Sequence, residues 1–296
     1  LRMSSTLLLD AASSSKTLND NASSCPPKPL MALAKIRADV VLPTPRVPVR
    51  GHVQVREARG VHDADELQAA LRQQLLHIAN MPAPDAPDGL TEDDNIVVRV
   101  EDHDPDGYAQ HQRVPHWEVG EQLGILDVDR AVKMSGSMFA MYRGAGAHLL
   151  SALINYGLDR NRDAFEQIRP PTVVKTDTMI GTGHLPKFSD DAYHLERDDL
   201  WAIPTAEVPL TSMVASEVLD ESELPMRLMA HTSCYRREAG SAGRDTRGMI
   251  RQHQFSKVEL VSITRPDDSA AEHERMTGCA EAILQRLDLP YRVMTL

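Results

Sequence analysis

The sequence has few cysteines, no long apolar run and no excess of basic residues. Its three cysteines, Cys25, Cys234 and Cys279, lie too far apart for a disulfide framework or a zinc knuckle, and this usage indicates a reducing, cytoplasmic setting. No apolar run approaches the roughly 20 residues that span a bilayer, so no membrane attachment is expected. The start, LRMSSTLLLD, is too short for a secretory signal; an organelle-targeting segment is the alternative for this serine-rich region.

Several common kinds of functional site are also missing. The net charge of −11 argues against a protein that coats nucleic acid through general basicity. The chain has no G-x-S-x-G nucleophile motif and no P-loop, and its 12 histidines show no H-x-x-x-H spacing, so no metal-ligating residue is predicted. Gly144-Ala145-Gly146 lacks the third glycine and the downstream acid of a dinucleotide turn, and we interpret it as the start of a helix.

The chain divides into three segments by composition. Residues 1–60 are rich in serine and proline without periodicity, so we expect no ordered structure there. Residues 61–90 open with a capping-box pattern and continue with leucines at helical spacing, followed by a proline-rich linker. Residues 91–296 combine short strands with helices set to one side, which predicts an α+β fold, an antiparallel sheet flanked by helices. The predicted strands include 96–100, 137–142, 193–195 and 200–203, and the predicted helices include 116–123, 127–133, 147–158, 204–216 and 266–287.

The most informative stretch, residues 227–263, is predicted to form two long strands joined by a glycine- and arginine-rich loop. Side chains alternate between the faces of a strand, so Arg236 and Glu238 should share one face, and Phe255, Lys257 and Glu259 should share one face of the partner strand. If these faces coincide, a guanidinium, carboxylates and an aromatic ring converge on one patch of sheet.

The loop between these strands suits an anionic ligand. Glycines 240, 243 and 248 allow a close approach of the backbone, and Arg244 and Arg247 offer guanidinium groups that match phosphate oxygens. A nucleoside triphosphate and a ligand with an amine are therefore predicted here. The alternative is an ordinary surface hairpin with a solvated basic loop, but Lys257 and Glu259 stand where a sheet face would carry aliphatic residues, and buried charges are rare unless paired.

These residues also carry a family resemblance. The segment YRREAGSAGRDTRGMIRQHQFSKVEL resembles motif 2 of the class II aminoacyl-tRNA synthetases, and specifically of the seryl-tRNA synthetase family. PHWEVGEQLGILD, GTGHLPKF, IPTAEVPLT and LDLPYRVM resemble the same family in the same order, over Leu67 to Leu296. The resemblance implies a homodimer with the motif 1 proline, Pro171, at its interface. It makes residues 61–90 a stub of a helical tRNA-binding arm and residues 91–296 an incomplete catalytic core with motifs 1 and 2.

The resemblance further implies a serine–tRNA ligase, which activates L-serine with ATP to seryl adenylate and transfers it to tRNA(Ser). Arg236 would be catalytic, holding the α-phosphate of ATP and the serine carboxylate. The implied ATP-binding residues are Arg236, Arg237, Glu238, Gln252 and Phe255. The implied serine-binding residues are Thr205, Ala206, Glu207, Arg236 and Glu259. Arg244 and Arg247 would approach the tRNA end or the phosphates.

Two departures from the family pattern qualify this expectation. Residues 1–60 supply none of the heptad pattern that the tRNA-binding arm needs, and motif 3, with the ligands of the cofactor Mg²⁺, would lie beyond Leu296. We therefore expect little or no activity from this chain by itself. The alternatives are a non-catalytic synthetase-like remnant or regulatory paralogue, and a relative that aminoacylates a carrier protein.

Overall fold

The structure is a computed structural model that describes residues 2–10, 35–41, 64–78, 86–89, 91, 94–240 and 246–295. The strands are Arg2–Asp10 (β1), Lys35–Val41 (β2), Val97–Glu101 (β3), Glu166–Gln167 (β4), Val173–Lys175 (β5), Tyr193–Leu195 (β6), Leu200–Ala202 (β7), Met226–Tyr235 (β8), Gln254–Ile263 (β9) and Tyr291–Met294 (β10). The helices are Ala64–Leu75 (α1), His116–Gln122 (α2), Val128–Ser135 (α3), Ala145–Asn161 (α4), Thr176–Gly181 (α5), Glu207–Ser212 (α6) and Ser269–Arg286 (α7).

A five-stranded sheet with the order β2-β1-β9-β8-β4 forms the centre of the fold. The β2/β1, β1/β9 and β9/β8 pairs are antiparallel, whereas the two-residue β4 runs parallel to β8. Two smaller antiparallel sheets flank it, β10-β3 and β5-β7-β6. The predicted fold class, an antiparallel sheet flanked by helices, is confirmed.

The two faces of the β8–β9 pair pack against different elements. One face carries Met229, Val258 and Leu260, which are buried with Leu158 of α4 and Met276 of α7. Since α7 repeats apolar residues at helical spacing, it can bury one side against the sheet while its opposite side stays in water. We call this the helix-covered face.

The opposite face of β8–β9 packs against α6 and the residues just before it. Ala206 and Leu210 are buried against Leu228, Ala230 and Val261. This contact brings the start of α6 over the middle of the hairpin. We call this the site face, because it carries the charged residues described below.

Most predicted elements of the core are present, with some corrections. The predicted strand at 137–142 is wrong: Gly136 has φ 94° and Met138 has φ 61°, a conformation that a strand does not use. A single β-bridge between Leu126 and Tyr142 occurs there instead. The sequence analysis also missed β5 and the short helix α5, which begins directly after β5. Gly144 precedes α4, as the interpretation of the glycine pair expected.

Residues 1–60 were expected to lack ordered structure, but the structure places β1 and β2 there. Thr6 of β1 is opposite Glu259 of β9, and Leu7 of β1 is opposite Ala38 of β2. The outer edge of β9 offers a row of backbone N–H and C=O groups, and a strand that pairs with them satisfies these groups whatever its side-chain pattern. Composition therefore could not reveal this pairing. The rest of residues 1–60 lies outside the described residues.

Helix α1 occupies Ala64–Leu75, close to the predicted helix, and its role as the stub of an arm stays a prediction. Leu67, Leu71 and Leu75 are each more than half exposed. In the described part of the chain, no helix has the length and apolar character needed to cross a membrane.

Candidate active site

The β8–β9 hairpin presents Arg236 and three further predicted side chains on one surface. The N–H of Arg236 donates to the carbonyl oxygen of His253 at 3.0 Å, one step beyond the last pair of the β8–β9 ladder. Residues opposite each other in an antiparallel pair share a face, and every second residue of a strand points the same way. Arg236 therefore lies on the site face together with Phe255, Lys257 and Glu259.

Arg236 and Phe255 are in direct contact. The guanidinium carbon of Arg236 lies 5.2 Å from the centroid of the Phe255 ring, a cation–π distance. Both side chains are half-buried. Among the residues that the structure describes, no carboxylate forms an ion pair with Arg236.

The next two site-face residues of β9 form a buried ion pair. Lys257 is 2% exposed and Glu259 is 0% exposed, and the ammonium of Lys257 contacts Oε2 of Glu259. Thr205, just before α6, joins them: its hydroxyl donates to Glu259 Oε2 at 2.7 Å and accepts from Lys257 Nζ at 2.7 Å. The hydroxyl also accepts from the N–H of Glu207 at 3.2 Å. Burial of this kind requires pairing, and all three groups are paired.

The environment of Glu259 shifts its pKa upward. Burial is the main cause, because it disfavours the charged carboxylate. The positive charge of Lys257 acts in the opposite direction, while the nearby carboxylate of Glu207 raises the pKa further. The carboxylate of Glu259, which belongs to the predicted serine pocket, is therefore enclosed and already accepts hydrogen bonds from protein groups.

Ala206 and Glu207 complete the predicted serine-binding group. Ala206 is fully buried in the apolar cluster between α6 and the sheet, so its side chain serves packing. Glu207 begins α6 and is half-buried. Of the two predicted acids, Glu207 is the more accessible.

Strand alternation was expected to place Glu238 on the same face as Arg236, but it does not apply at Glu238. Strand β8 ends at Tyr235, and Glu238 has φ 53°, in the left-handed region. Its carboxylate accepts a hydrogen bond from Arg251 Nη1 at 2.8 Å, and both residues are largely buried. The tertiary contact with Arg251 therefore fixes the position of this carboxylate.

Arg237 contacts a different ring from Arg236. Its guanidinium carbon lies 5.3 Å from the ring centroid of Tyr193, and the residue is exposed. Its backbone N–H donates to the carbonyl oxygen of Asp191 at 2.7 Å, and the Asp191 carboxylate accepts from the N–H of Ala239 at 3.1 Å. Asp191 thus holds the turn that follows Arg236, a role that no sequence motif indicated.

The end of the arginine-rich loop, at Gly248 and Met249, packs against α2. The Met249 N–H donates to Nε2 of His116 at 2.8 Å, so this nitrogen is an acceptor. Gly248, with φ 67°, leaves no space for a side chain, because a Cβ there would lie 2.2 Å from the same nitrogen. The side-chain amide of the buried Gln252 donates to the Met249 carbonyl at 3.2 Å. Gln252 is therefore held at the start of β9.

Of the two loop arginines, the structure describes Arg247 but not Arg244. Arg247 lies over Trp117 of α2, with 4.7 Å between its guanidinium carbon and the ring centroid. Arg244 falls in residues 241–245, outside the described residues. Its predicted contact with tRNA or phosphates stays a prediction, as does that of Arg247.

Lys257 is the principal site residue without an assigned role in the sequence analysis. Its charge was recognised as unusual on a sheet face, but its partner could not be identified from β9 alone, since Thr205 is 52 residues away. The described residues contain no group of three or more His, Cys, Asp or Glu side chains that could hold a metal ion.

Part of the chain is similar to a known protein family. Residues 189–296 match the model of the tRNA synthetase class II core domain (G, H, P, S and T). This segment includes β8, β9 and most of the site-face residues. Residues 189–296 are similar to a class II tRNA synthetase core.

The predicted resemblance to the seryl-tRNA synthetase family is also confirmed. The chain is 50% identical over 233 residues to a serine--tRNA ligase of Geobacillus kaustophilus, which covers 78% of this chain and 54% of that protein. Its structure is similar to that of a seryl-tRNA synthetase from Pyrococcus horikoshii complexed with ATP, with a TM-score of 0.70, 34% identity and coverage of 78% and 56%.

A second solved structure gives a similar result. It is a cytoplasmic serine-tRNA ligase from Naegleria fowleri in complex with AMP, with a TM-score of 0.69, 28% identity and coverage of 78% of this chain and 55% of that one. The chain thus spans about half the length of the relatives that it matches.

Proposed function

We propose that this chain carries the serine- and ATP-binding part of a serine–tRNA ligase. The observation that carries the proposal is the site face, where Arg236 has no carboxylate partner among the described residues and lies on the same surface as the buried Lys257–Glu259–Thr205 cluster. The identity of 50% to serine--tRNA ligases supports it. The reaction is the attack of the serine carboxylate on the α-phosphate of ATP, followed by transfer of serine to tRNA(Ser).

ATP is assigned to the open end of the hairpin. The guanidinium of Arg236 neutralises the charge that gathers on the α-phosphate in the transition state. Phe255 stacks on adenine, and the Glu238 carboxylate accepts a hydrogen bond from the adenine amino group. Gln252 presents its main chain to the base, and Arg237 contributes positive charge at the rim of the site.

Serine is assigned to the closed end, beneath the start of α6. Glu207 and the main chain around Ala206 bind the serine ammonium, and Glu259 accepts the serine hydroxyl. A site built to hydrogen-bond a substrate hydroxyl rejects the analogue without it by roughly 10⁴–10⁵-fold, because a buried acceptor is then left unpaired. Alanine is the relevant competitor.

The remaining partners belong to the same proposal. We assign tRNA contacts to Arg244 and Arg247, a homodimer interface to the surface around the exposed Pro171, and Mg²⁺ as the ion that accompanies ATP. A cytoplasmic location is consistent with the free thiols of Cys234 and Cys279. Sedimentation analysis of the purified chain tests the dimer.

Ligand binding by the 296-residue chain is the first test. Calorimetric titration with L-serine in the presence of a non-hydrolysable ATP analogue should show binding, and L-alanine should bind far more weakly. Equal affinity for the two amino acids would contradict the serine assignment. We expect little serine-dependent ATP–pyrophosphate exchange from the chain alone, and exchange at the rate of an intact ligase would overturn that expectation.

A chimera tests catalysis. The segment that matches the Geobacillus kaustophilus ligase replaces the corresponding part of that enzyme, and aminoacylation of tRNA(Ser) is measured. The chimera should be active, and Arg236→Ala should lower kcat by about 10²-fold or more, the usual effect of losing a group that stabilises transition-state charge. Arg162→Ala, an exposed arginine at the end of α4, is the matched control. A folded but inactive chimera would favour the non-catalytic alternative.

A further inference from the structure

Lys257 is a buried cation in the interior of the site face, and this position requires an explanation. A lysine with 2% exposure is rare in folded proteins unless its charge is compensated. Its Nζ contacts Glu259 Oε2 and donates to Thr205 Oγ1 at 2.7 Å. The sheet could place an aliphatic residue here, as it does at Val261 on the same face.

The charged groups of this ion pair and its surroundings come from two elements. Lys257 and Glu259 belong to β9, and Glu207 begins α6. Cys234 of β8 also faces the pair, and burial raises the pKa of its thiol, so it stays neutral. Lys257 is the cation in direct contact with Glu259, while Glu207 adds a second negative charge nearby.

The hydrogen-bonding capacity of Thr205 is fully used within the cluster. A hydroxyl has one proton and two lone pairs. The proton is donated to Glu259, and the lone pairs accept from Lys257 and from the N–H of Glu207. A substrate ammonium therefore cannot hydrogen-bond to this hydroxyl unless one of these bonds breaks.

We propose that Lys257 is a positioning residue of the amino-acid pocket. Its ammonium keeps the Glu259 carboxylate ionised and fixed in orientation, and together with Thr205 it forms a closed network behind the substrate. Glu207 is then the acid that contacts the substrate amine, and Glu259 presents a fixed acceptor to the substrate hydroxyl. The part that concerns substrate depends on the function proposed above, whereas the part that concerns the ion pair does not.

The ionisation of Glu259 can be measured without any ligand. Carbon-13 NMR of the side-chain carboxyl groups, assigned with Glu259→Gln, should show Glu259 as a carboxylate at about pH 7 in the unmodified chain. In Lys257→Met, which keeps the apolar stem and removes the charge, the same carboxyl should be protonated at that pH. A protonated Glu259 in the unmodified chain, or an ionised one in Lys257→Met, would overturn the proposal.

A double-mutant cycle provides a second ligand-independent test. Lys257→Met should lower the unfolding midpoint strongly at neutral pH, because Glu259 must then take up a proton well above the pKa of a free glutamate. Lys257→Met combined with Glu259→Gln should recover much of that loss, since glutamine is neutral without taking up a proton. If the single variant does not fold, the double variant and the titration of the unmodified chain still decide the matter. Additive losses in the cycle would show that the two residues are not coupled.

Serine binding tests the role in the pocket. Lys257→Met should weaken L-serine binding by about tenfold or more, with the affinity for the ATP analogue unchanged within about twofold. Lys257→Arg, which keeps the charge, should restore part of the serine affinity. An equal loss for both ligands would indicate general disruption and contradict the positioning role. If the unmodified chain binds no serine, the proposed function fails, while the titration and the cycle still decide the ion-pair part.

Discussion

Two buried carboxylates on opposite sides of the same hairpin are held in different ways. Glu259 on the site face contacts the ammonium of Lys257. Glu272 of α7 lies against the helix-covered face and forms ion pairs with two arginines. Its Oε1 lies 2.7 Å from Arg227 Nε and 2.6 Å from Arg275 Nη2. The hydroxyl of Ser262 donates to the same carboxylate at 2.7 Å.

The pKa values of these two acids shift in opposite directions. For Glu272, burial alone would raise the pKa, but hydrogen bonds from Arg227, Arg275 and Ser262 lower it strongly. For Glu259, burial outweighs the ammonium of Lys257 and the hydroxyl of Thr205, and the pKa is raised. On the helix-covered face, ion pairs attach α7 to the sheet. On the site face, the cost of burying the acid exceeds the stabilisation of its charge by neighbouring groups, and perturbed acids of this kind are common in functional sites.

The largest expected effect is the loss of the Glu272 network. Glu272→Ala should lower the free energy of unfolding by about 3 kcal/mol, because Arg227 and Arg275 lose a shared partner that attaches α7 to the sheet. Urea denaturation measures this. Glu274→Ala is the control: this exposed residue of α7 pairs with Arg99 at the surface, so its loss should cost less than about 1 kcal/mol. Equal losses would contradict the structural role of Glu272.

The pH dependence of stability should distinguish the two acids. Because the pKa of Glu272 is lower in the folded state, its contribution is complete above the unfolded pKa, about 4.3, and is lost as the pH falls, by about 2 kcal/mol in total. Because the pKa of Glu259 is higher in the folded state, its contribution is present below about 4.3 and is lost as the pH rises.

Two neutral variants make this comparison measurable. As the pH rises from about 2 to about 4.3, the free energy of unfolding of the unmodified chain relative to Glu272→Gln should increase, and above that pH it should level off. The same quantity relative to Glu259→Gln should decrease as the pH rises above about 4.3. Slopes of the same sign would remove the distinction between the two faces.

The smallest expected effect concerns Ser262, which contributes one hydrogen bond to Glu272. Ser262→Ala should lower the free energy of unfolding by about 1 kcal/mol, because the carboxylate keeps both arginines. Ser256→Ala, a half-buried serine on the same strand and the same face, should change it by less than about 0.5 kcal/mol. A loss at Ser262 as large as that at Glu272 would show that the hydroxyl, rather than the arginines, dominates the network.

Much of the site face was accessible from the sequence. The period of two along β9 placed Phe255, Lys257 and Glu259 on one face, because alternation is a local property of an extended backbone. The apolar pattern of α7 indicated its buried side for the same kind of reason. The resemblance supplied roles for Arg236 and Glu207, and those roles remain proposals.

Other features depended on contacts between distant segments. The left-handed turn at Glu238, its ion pair with Arg251 and the support from Asp191 follow no periodic pattern, so alternation placed Glu238 wrongly. The pairing of β1 with β9 escaped prediction because backbone hydrogen bonds carry no side-chain signature.

The sequence by itself determined which residues alternate on the strands and which side of each amphipathic helix is apolar, since these depend on neighbours along the chain. Only the tertiary structure decided that Thr205 would meet Lys257 and Glu259, and that Glu272 would meet Arg227. The strength of a buried charge depends on partners brought from distant positions and on the water excluded around them. The compensation of one acid and the under-compensation of the other are therefore properties of the folded molecule.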